Sequence, residues 1–299
     1  MNRLKSILTI LVLSSLILIG CGNKSKNADF TVRPDSIVYK HTEQADLKLY
    51  FHYPEEWKPD DRRPVIVFFF GGGWVRGTIN QFDRQATYLA SRGMVAVRAD
   101  YRVKNRHDTW PHQCVEDGKS AIRWVRENAA LIGVDPDKIV SSGGSAGGHV
   151  AICTYVVEGL EAEGENHSVS SKPNLLVLYN PVLGTSSIPE ERFGSEEMAF
   201  KISPLEHLDE SVPPIIMFFG TEDDWILFAY PTIRKADSLK LDIRLWVAEG
   251  LKHSFFNRSP LLESTIYLTD KFLIEHGYLE GEPSIGLPSD GIMELYKRQ

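Results

Sequence analysis

The feature that most constrains this chain is a set of short β-prone runs that are apolar on nearly every residue rather than on alternate ones. Residues 65–70, bounded by Pro64 and three glycines, are apolar throughout, and 94–99 repeat the pattern except at Arg98. A strand with two apolar faces belongs in a parallel sheet covered by helices on both sides. Further strands are expected over 138–142, 175–179, 215–219 and 243–247. Helical periodicity falls between them, around 82–91, 230–239 and 261–276, and most clearly over 115–131, where Ile122, Val125 and Ala129 recur at helical spacing with Gly133 beyond the end. Asp135, Pro136 and Asp137 are expected to turn the chain into the strand at 138–142. Residues 37–39 and 47–51 look like an opening antiparallel pair, the second alternating apolar with polar. Strands alternating with helices along the chain predict an α/β fold with a mostly parallel sheet.

Two stretches break the alternation. Residues 158–172 are acidic and polar, which predicts an exposed loop. Residues 184–211, with a short helix expected around 190–199, read as a small lid, because segments inserted above the carboxyl ends of strands shape the pocket there. The tail, 280–299, carries Pro283, Pro288 and three glycines and is expected to pack loosely on the surface.

A composition of 42% apolar and 24% charged residues excludes disorder, collagen and coiled coil, and 299 residues fit one large α/β domain. A formal charge of −7 offers no basic face for a phosphate backbone, so no nucleic-acid partner is expected. Three cysteines support neither a disulfide scaffold nor a multi-cysteine zinc site, and no metal or other cofactor is expected.

The first residues read as an address. Arg3 and Lys5 precede an apolar run over 7–19, too short to span a bilayer comfortably, that ends in Leu18, Ile19, Gly20 and Cys21. This resembles the lipobox of bacterial lipoproteins, which implies that residues 1–20 are a signal peptide and that Cys21 is lipidated. Residues 21–35 would then tether a domain over 36–279 to a membrane of the bacterial cell envelope, and the mature charge would be −9. Export would permit a disulfide between Cys114 and Cys153, which the sequence leaves open.

Three motifs carry chemistry. Gly143-Gly144-Ser145-Ala146-Gly147 has the G-x-S-x-G form between an expected strand and an expected helix. Side chains at Gly143 or Gly147 would collide with the adjacent strand and helix, and the sharp turn would lift the Ser145 hydroxyl to a helix N-terminus, where developing negative charge is favoured. The run lacks both G-x-G-x-x-G and the lysine of a phosphate loop. Gly71, Gly72 and Gly73 follow the first buried strand, where the N–H groups of Gly72 and Gly73 would join that of Ala146 in holding an oxyanion. Taken alone, three glycines there would mark only a tight turn. Asp223, at the end of a strand, and His253, on the loop after the last strand, complete the order Ser, Asp, His, with Asp224 the second candidate for the acid. His253 would take the proton of Ser145 while Asp223 fixes its tautomer. His149, one helical turn beyond Ser145, should point away from the substrate side.

Together these residues resemble the α/β-hydrolase fold, and within it the esterase group that carries H-G-G-G-W and G-x-S-A-G-G-H. The likeness runs over about residues 36–275 and includes Asp100-Tyr101-Arg102, similar to the D-Y-R element of that group. It implies an eight-stranded, mostly parallel sheet and hydrolysis of carboxylic esters through an acyl-enzyme, often on acetylated or feruloylated carbohydrates and small acyl esters. One departure matters: Phe70 stands where the group has histidine, and a phenyl ring cannot make the bracing hydrogen bonds of imidazole, although its packing would brace the loop in another way.

Trp74 and Trp225 follow the two site loops and would line the pocket mouth, stacking on a sugar ring or merely packing under the lid. Arg76 would meet an acidic group of the substrate or a surface carboxylate. A small-molecule or carbohydrate ester is the expected partner. Peptidases and amidases of the same fold, and a non-catalytic binding module on the same scaffold, are the rival readings. Oligomeric state is not legible.

Overall fold

The computed structural model describes residues 33–290 and 293–296, so the expected signal sequence and Cys21 lie outside the described residues. The chain forms β1 (Ser36–His41), β2 (Asp46–His52), β3 (Arg63–Phe69), α1 (Asp83–Ser91), β4 (Val95–Ala99), α2 (Lys104–His107), α3 (Pro111–Glu127), β5 (Val134–Gly144), α4 (Ala146–Val156) and β6 (Leu175–Tyr179). It continues with α5 (Glu196–Lys201), β7 (Ile215–Gly220), α6 (Ile226–Leu239), β8 (Ile243–Ala248), α7 (Leu261–Glu275) and β9 (Glu294–Leu295). The strands build one sheet in the order β1-β2-β4-β3-β5-β6-β7-β8-β9, parallel from β4 through β8 and antiparallel at both ends.

The apolar runs have the cause that the pattern implied. Val65, Val67 and Phe69 of β3 turn to a core shared with α3, α4 and α6, whereas Ile66 and Phe68 turn to a second core with α1 and α7. Strands β3, β6 and β7 are thus buried on both faces, and β3 and β5 at the centre carry the loops that matter most for the site.

Several bounds differ from expectation for local reasons. Helix α3 starts at Pro111, four residues early, because proline fits the first helical position and Gln113 Oε1 accepts the Trp110 N–H. Strand β5 starts at Val134, which pairs with Arg63, and the expected turn at 135–137 is instead a register irregularity, a setting that tolerates Pro136. Helix α6 starts at Ile226, ahead of Pro231, because the Asp223 carboxylate takes the Trp225 N–H at 3.0 Å and starts the first turn.

The tail departs most. Residues 280–290 are mostly exposed and irregular, as expected, but Glu294 and Leu295 add β9 to the edge of β8, giving nine strands among the described residues rather than eight. Tyr296 N–H bonds to Leu245 at 2.8 Å and its ring lies 5.2 Å from that of Tyr230. The 184–211 insert holds two short 3₁₀ turns and α5 rather than one helix, and it buries Phe193, Ala199, Ile202 and Leu208 in the larger core. Cys114 and Cys153 are both buried and unbonded to each other.

Candidate active site

The elbow works through backbone contact. A Cβ on Gly147 would lie 2.1 Å from the Phe69 carbonyl oxygen, and one on Gly143 would lie 2.4 Å from that of Gly147. With those side chains absent, the chain turns from β5 into α4 at a single residue, Ser145, whose φ of 55° and ψ of −121° are rare outside glycine. Its carbonyl accepts the His149 N–H at 3.0 Å and its own N–H is held by Tyr179 at 2.8 Å, so the strained conformation is fixed from both sides.

The Ser145 hydroxyl meets His253 Nε2 at 2.8 Å, and His253 Nδ1 meets Asp223 Oδ2 at 2.8 Å. Asp223 is 2% exposed, so its carboxylate needs partners. It accepts from His253, from the Trp225 N–H at 3.0 Å and from Asn180 Nδ2 at 2.8 Å. Asp224, the second candidate, is exposed, and the carboxylate bonded to His253 is that of Asp223. A carboxylate at Nδ1 places the proton there and leaves Nε2 free to accept from the hydroxyl, which is the arrangement of a general base beside a nucleophile.

On the other side of Ser145 lies the glycine loop. Gly72 and Gly73 have φ of +129° and +66°, and a Cβ on Gly72 would lie 2.0 Å from the Arg76 carbonyl oxygen. Among the described residues nothing accepts the N–H groups of Gly72, Gly73 or Ala146. Three unpaired donors beside a serine hydroxyl at a helix N-terminus form a place for an oxyanion. Phe70 braces this loop by packing: its ring stacks on Tyr101 at 4.2 Å, and the Tyr101 hydroxyl donates to the Phe70 carbonyl at 2.5 Å.

Known proteins similar to this chain include esterases. The BD-FAE family profile matches residues 49–177. Thermogutta terrifontis esterase 2, solved phosphonylated by sarin, is 44% identical with a TM-score of 0.79, covering 83% of this chain and 96% of its own. The chain belongs to the α/β-hydrolase serine esterases. Among curated relatives of these carboxylic ester hydrolases, a probable isoprenylcysteine alpha-carbonyl methylesterase of Arabidopsis thaliana is 30% identical over 212 residues, 63% of this chain and 43% of that protein. A carboxylesterase of Mycobacterium tuberculosis is 37% identical over 99 residues, 32% of this chain and 30% of that protein. The chain spans less than half the length of these curated relatives.

The residues singled out for substrate contact in this esterase are placed less uniformly. Trp74 is 2% exposed, and its Nε1 donates to His149 Nδ1 at 3.3 Å while Phe193 of the insert meets the ring edge-on at 5.6 Å. It borders the cavity beside Gly73, as the sequence suggested, but at this burial it packs under the lid, the second of the two roles read from sequence, rather than offering a face to a sugar ring. Trp225 is half-buried against Phe228 at 6.1 Å, and its main chain caps Asp223. Arg76 is exposed and has no ion pair with a described residue. A cavity of about 520 Å³ borders Gly73 and Trp74 and is lined on its other sides by Lys104, Trp110, Pro111, Ile188 and Arg192. Trp110, 38% exposed with the Lys104 ammonium 5.0 Å above its ring, is the accessible tryptophan of that cavity, and sequence reasoning passed over it. Asn180 was also missed. It follows β6, takes a φ of 45° and is fully buried, and a polar residue at a parallel strand's carboxyl end was the available signal.

His149 is fully buried, between Trp74 and the insert. Because Nδ1 accepts from Trp74, Nε2 carries the proton and donates to the Ile202 carbonyl at 2.7 Å, tying the oxyanion loop, α4 and the insert together. Burial holds its pKa down at about 4, well below the ordinary 6.5.

Two outcomes follow. Asp223→Asn should lower kcat by about 10⁴-fold, whereas Asp224→Asn should leave it within about twofold, as steady-state kinetics on a small ester will show. Between pH 6.5 and 4 the unfolded chain binds a proton at position 149 that the native state refuses, so stability falls as pH drops through that window. Urea unfolding at pH 7 and pH 4 should show the native protein losing about 3 kcal/mol more than His149→Gln. Equal losses would mean that His149 is not held neutral.

Proposed function

We propose that this chain cleaves short acyl esters, acetyl foremost, of carbohydrate or aryl alcohols through an acyl-enzyme on Ser145. The observation that carries the reading is the run of two 2.8 Å contacts from Asp223 through His253 to the Ser145 hydroxyl, facing three unpaired N–H groups. Oγ of Ser145 forms a bond to the ester carbonyl carbon as its proton passes to His253 Nε2. The carbonyl oxygen, now an oxyanion, lies among the N–H groups of Gly72, Gly73 and Ala146. Collapse breaks the carbon–oxygen bond to the alcohol, which leaves with the proton from Nε2. Water then repeats the sequence: it gives one proton to Nε2, adds to the acyl carbon and releases the acid, and Ser145 recovers its proton.

Short acyl groups are supported by Thermogutta terrifontis esterase 2, 44% identical, which has been solved with propionate and with butyrate bound. The cavity beside Gly73 is proposed to take the alcohol portion, with the partly exposed Trp110 indole as a contact for a sugar or aromatic ring. The lipobox-like Leu18 to Cys21 segment supports lipidation at Cys21 and a place at the bacterial cell envelope, periplasmic or surface-facing.

On a p-nitrophenyl series from acetate to octanoate, kcat/KM should be greatest at two to four carbons and fall about tenfold or more by octanoate. Ser145→Ala should remove turnover by about 10⁶-fold. Equal rates along the series would reject the short-acyl reading, and retained turnover in the variant would reject the nucleophile. For the anchor, full-length protein expressed in a bacterium should pellet with membranes, and Cys21→Ala should leave it in the soluble fraction. Membrane association unchanged by Cys21→Ala would reject lipidation there.

A further inference from the structure

We propose that Gln81 and Asn257 are positioning residues that hold the oxyanion loop in register with the histidine loop. Gly71, the first glycine of the loop, donates its N–H to Gln81 Oε1 at 2.6 Å. Gln81 Nε2 donates to Asn257 Oδ1 at 3.2 Å, and Asn257 Nδ2 donates to the carbonyl of Ser254, the residue after His253, at 3.1 Å. The N–H of Ser254 donates to Asn180 Oδ1 at 3.2 Å, and Asn180 Nδ2 donates to Asp223 at 2.8 Å. One line of hydrogen bonds therefore runs from the oxyanion loop around the histidine to the acid.

The direction of every bond along it is determined. A backbone N–H can only donate, so the atom of Gln81 facing Gly71 is its oxygen, and its amide nitrogen must face Asn257. At the far end a backbone carbonyl can only accept, so Asn257 presents nitrogen to Ser254 and oxygen to Gln81. Neither amide can flip without placing donor against donor.

Packing holds both side chains where this requires. Gln81 precedes Phe82 and Asn257 follows Phe256, and those two rings stack at 5.8 Å with 15° between planes, within an aromatic group that includes Phe68 and Tyr179. The chain reaches Gln81 by folding back at Gly77, where a Cβ would lie 2.3 Å from the Gly71 carbonyl oxygen. The effect on chemistry is geometric. With the Gly71 N–H turned into Gln81, the following N–H groups of Gly72 and Gly73 stay unpaired beside Ser145. This supplies from Gln81 the polar brace that a histidine in place of Phe70 would offer. A displaced donor matters because a shift of about 1 Å at a reacting centre costs on the order of 10²-fold in rate.

The proposal rests on Ser145 being the nucleophile, which fluorophosphonate labelling of the native protein decides separately: without labelling or turnover, that reading and this one fail together. With an active native protein, p-nitrophenyl acetate kinetics are measured on Gln81→Met, Asn257→Ala and the double variant. Rates are expressed per titrated active site, so that a loss of folded protein is not read as a loss of rate. Gln81→Met should lower kcat by about 10- to 100-fold with KM within about twofold, and a trifluoromethyl ketone should bind more weakly by the same factor as kcat/KM falls. Asn257→Ala should move the same quantities in the same direction, and the double variant should lose no more than the worse single one. Rates within twofold of native, a change in KM instead of kcat, or losses that multiply in the double variant would overturn the proposal.

Discussion

The site depends on one close approach of backbone to backbone. The turn after β5 lies against the end of β3 so tightly that Gly147 has no room for a Cβ beside the carbonyls of Phe69 and Phe70. That contact sets Ser145 at the N-terminus of α4 and in the same stroke sets the glycine loop after β3 beside it. Nucleophile and oxyanion donors are therefore positioned by the ends of two adjacent central strands of the sheet. The acid and base arrive from β7 and β8 further along the same edge.

Strain collects at that edge. Trp74, Ser145, Asn180 and Ser254 all take positive φ without being glycine, and each stands on a loop of the site. Conformations of this kind cost about 1–3 kcal/mol each and persist only where surrounding structure fixes them. Here the fixing is visible: Tyr179 and His149 hold Ser145, Asp223 and Ser254 hold Asn180, and His149 holds the indole of Trp74. A sheet buried on both faces supplies the stability that lets these turns be held.

Much of this was legible in the sequence, because the determining features are local. Apolar runs marked the parallel strands, and G-x-S-x-G between strand and helix marked the elbow, since glycine is required there by space alone. The order of Ser145, Asp223 and His253 follows from the order of the strands. What escaped depends on where side chains turn in three dimensions. Trp74 is next to the glycine loop in sequence and borders the cavity, yet its indole is buried against His149, while Trp110, thirty-six residues later, is the more exposed ring there. Asn180, Gln81 and Asn257 belong to no short motif, and only folding shows that they join separate loops. Strand β9 escaped because two residues with an antiparallel edge partner leave almost no pattern, and proline and glycine around them argued for a loose tail.

The central claim is that Ser145 carries the acyl group during turnover. Rapid-quench mass spectrometry during hydrolysis of p-nitrophenyl butyrate tests it most directly. The account predicts a butyryl adduct confined to the peptide that holds Ser145, formed within one turnover and decaying as substrate is exhausted. Steady turnover with no adduct at any time, or with an adduct on another residue, would contradict it.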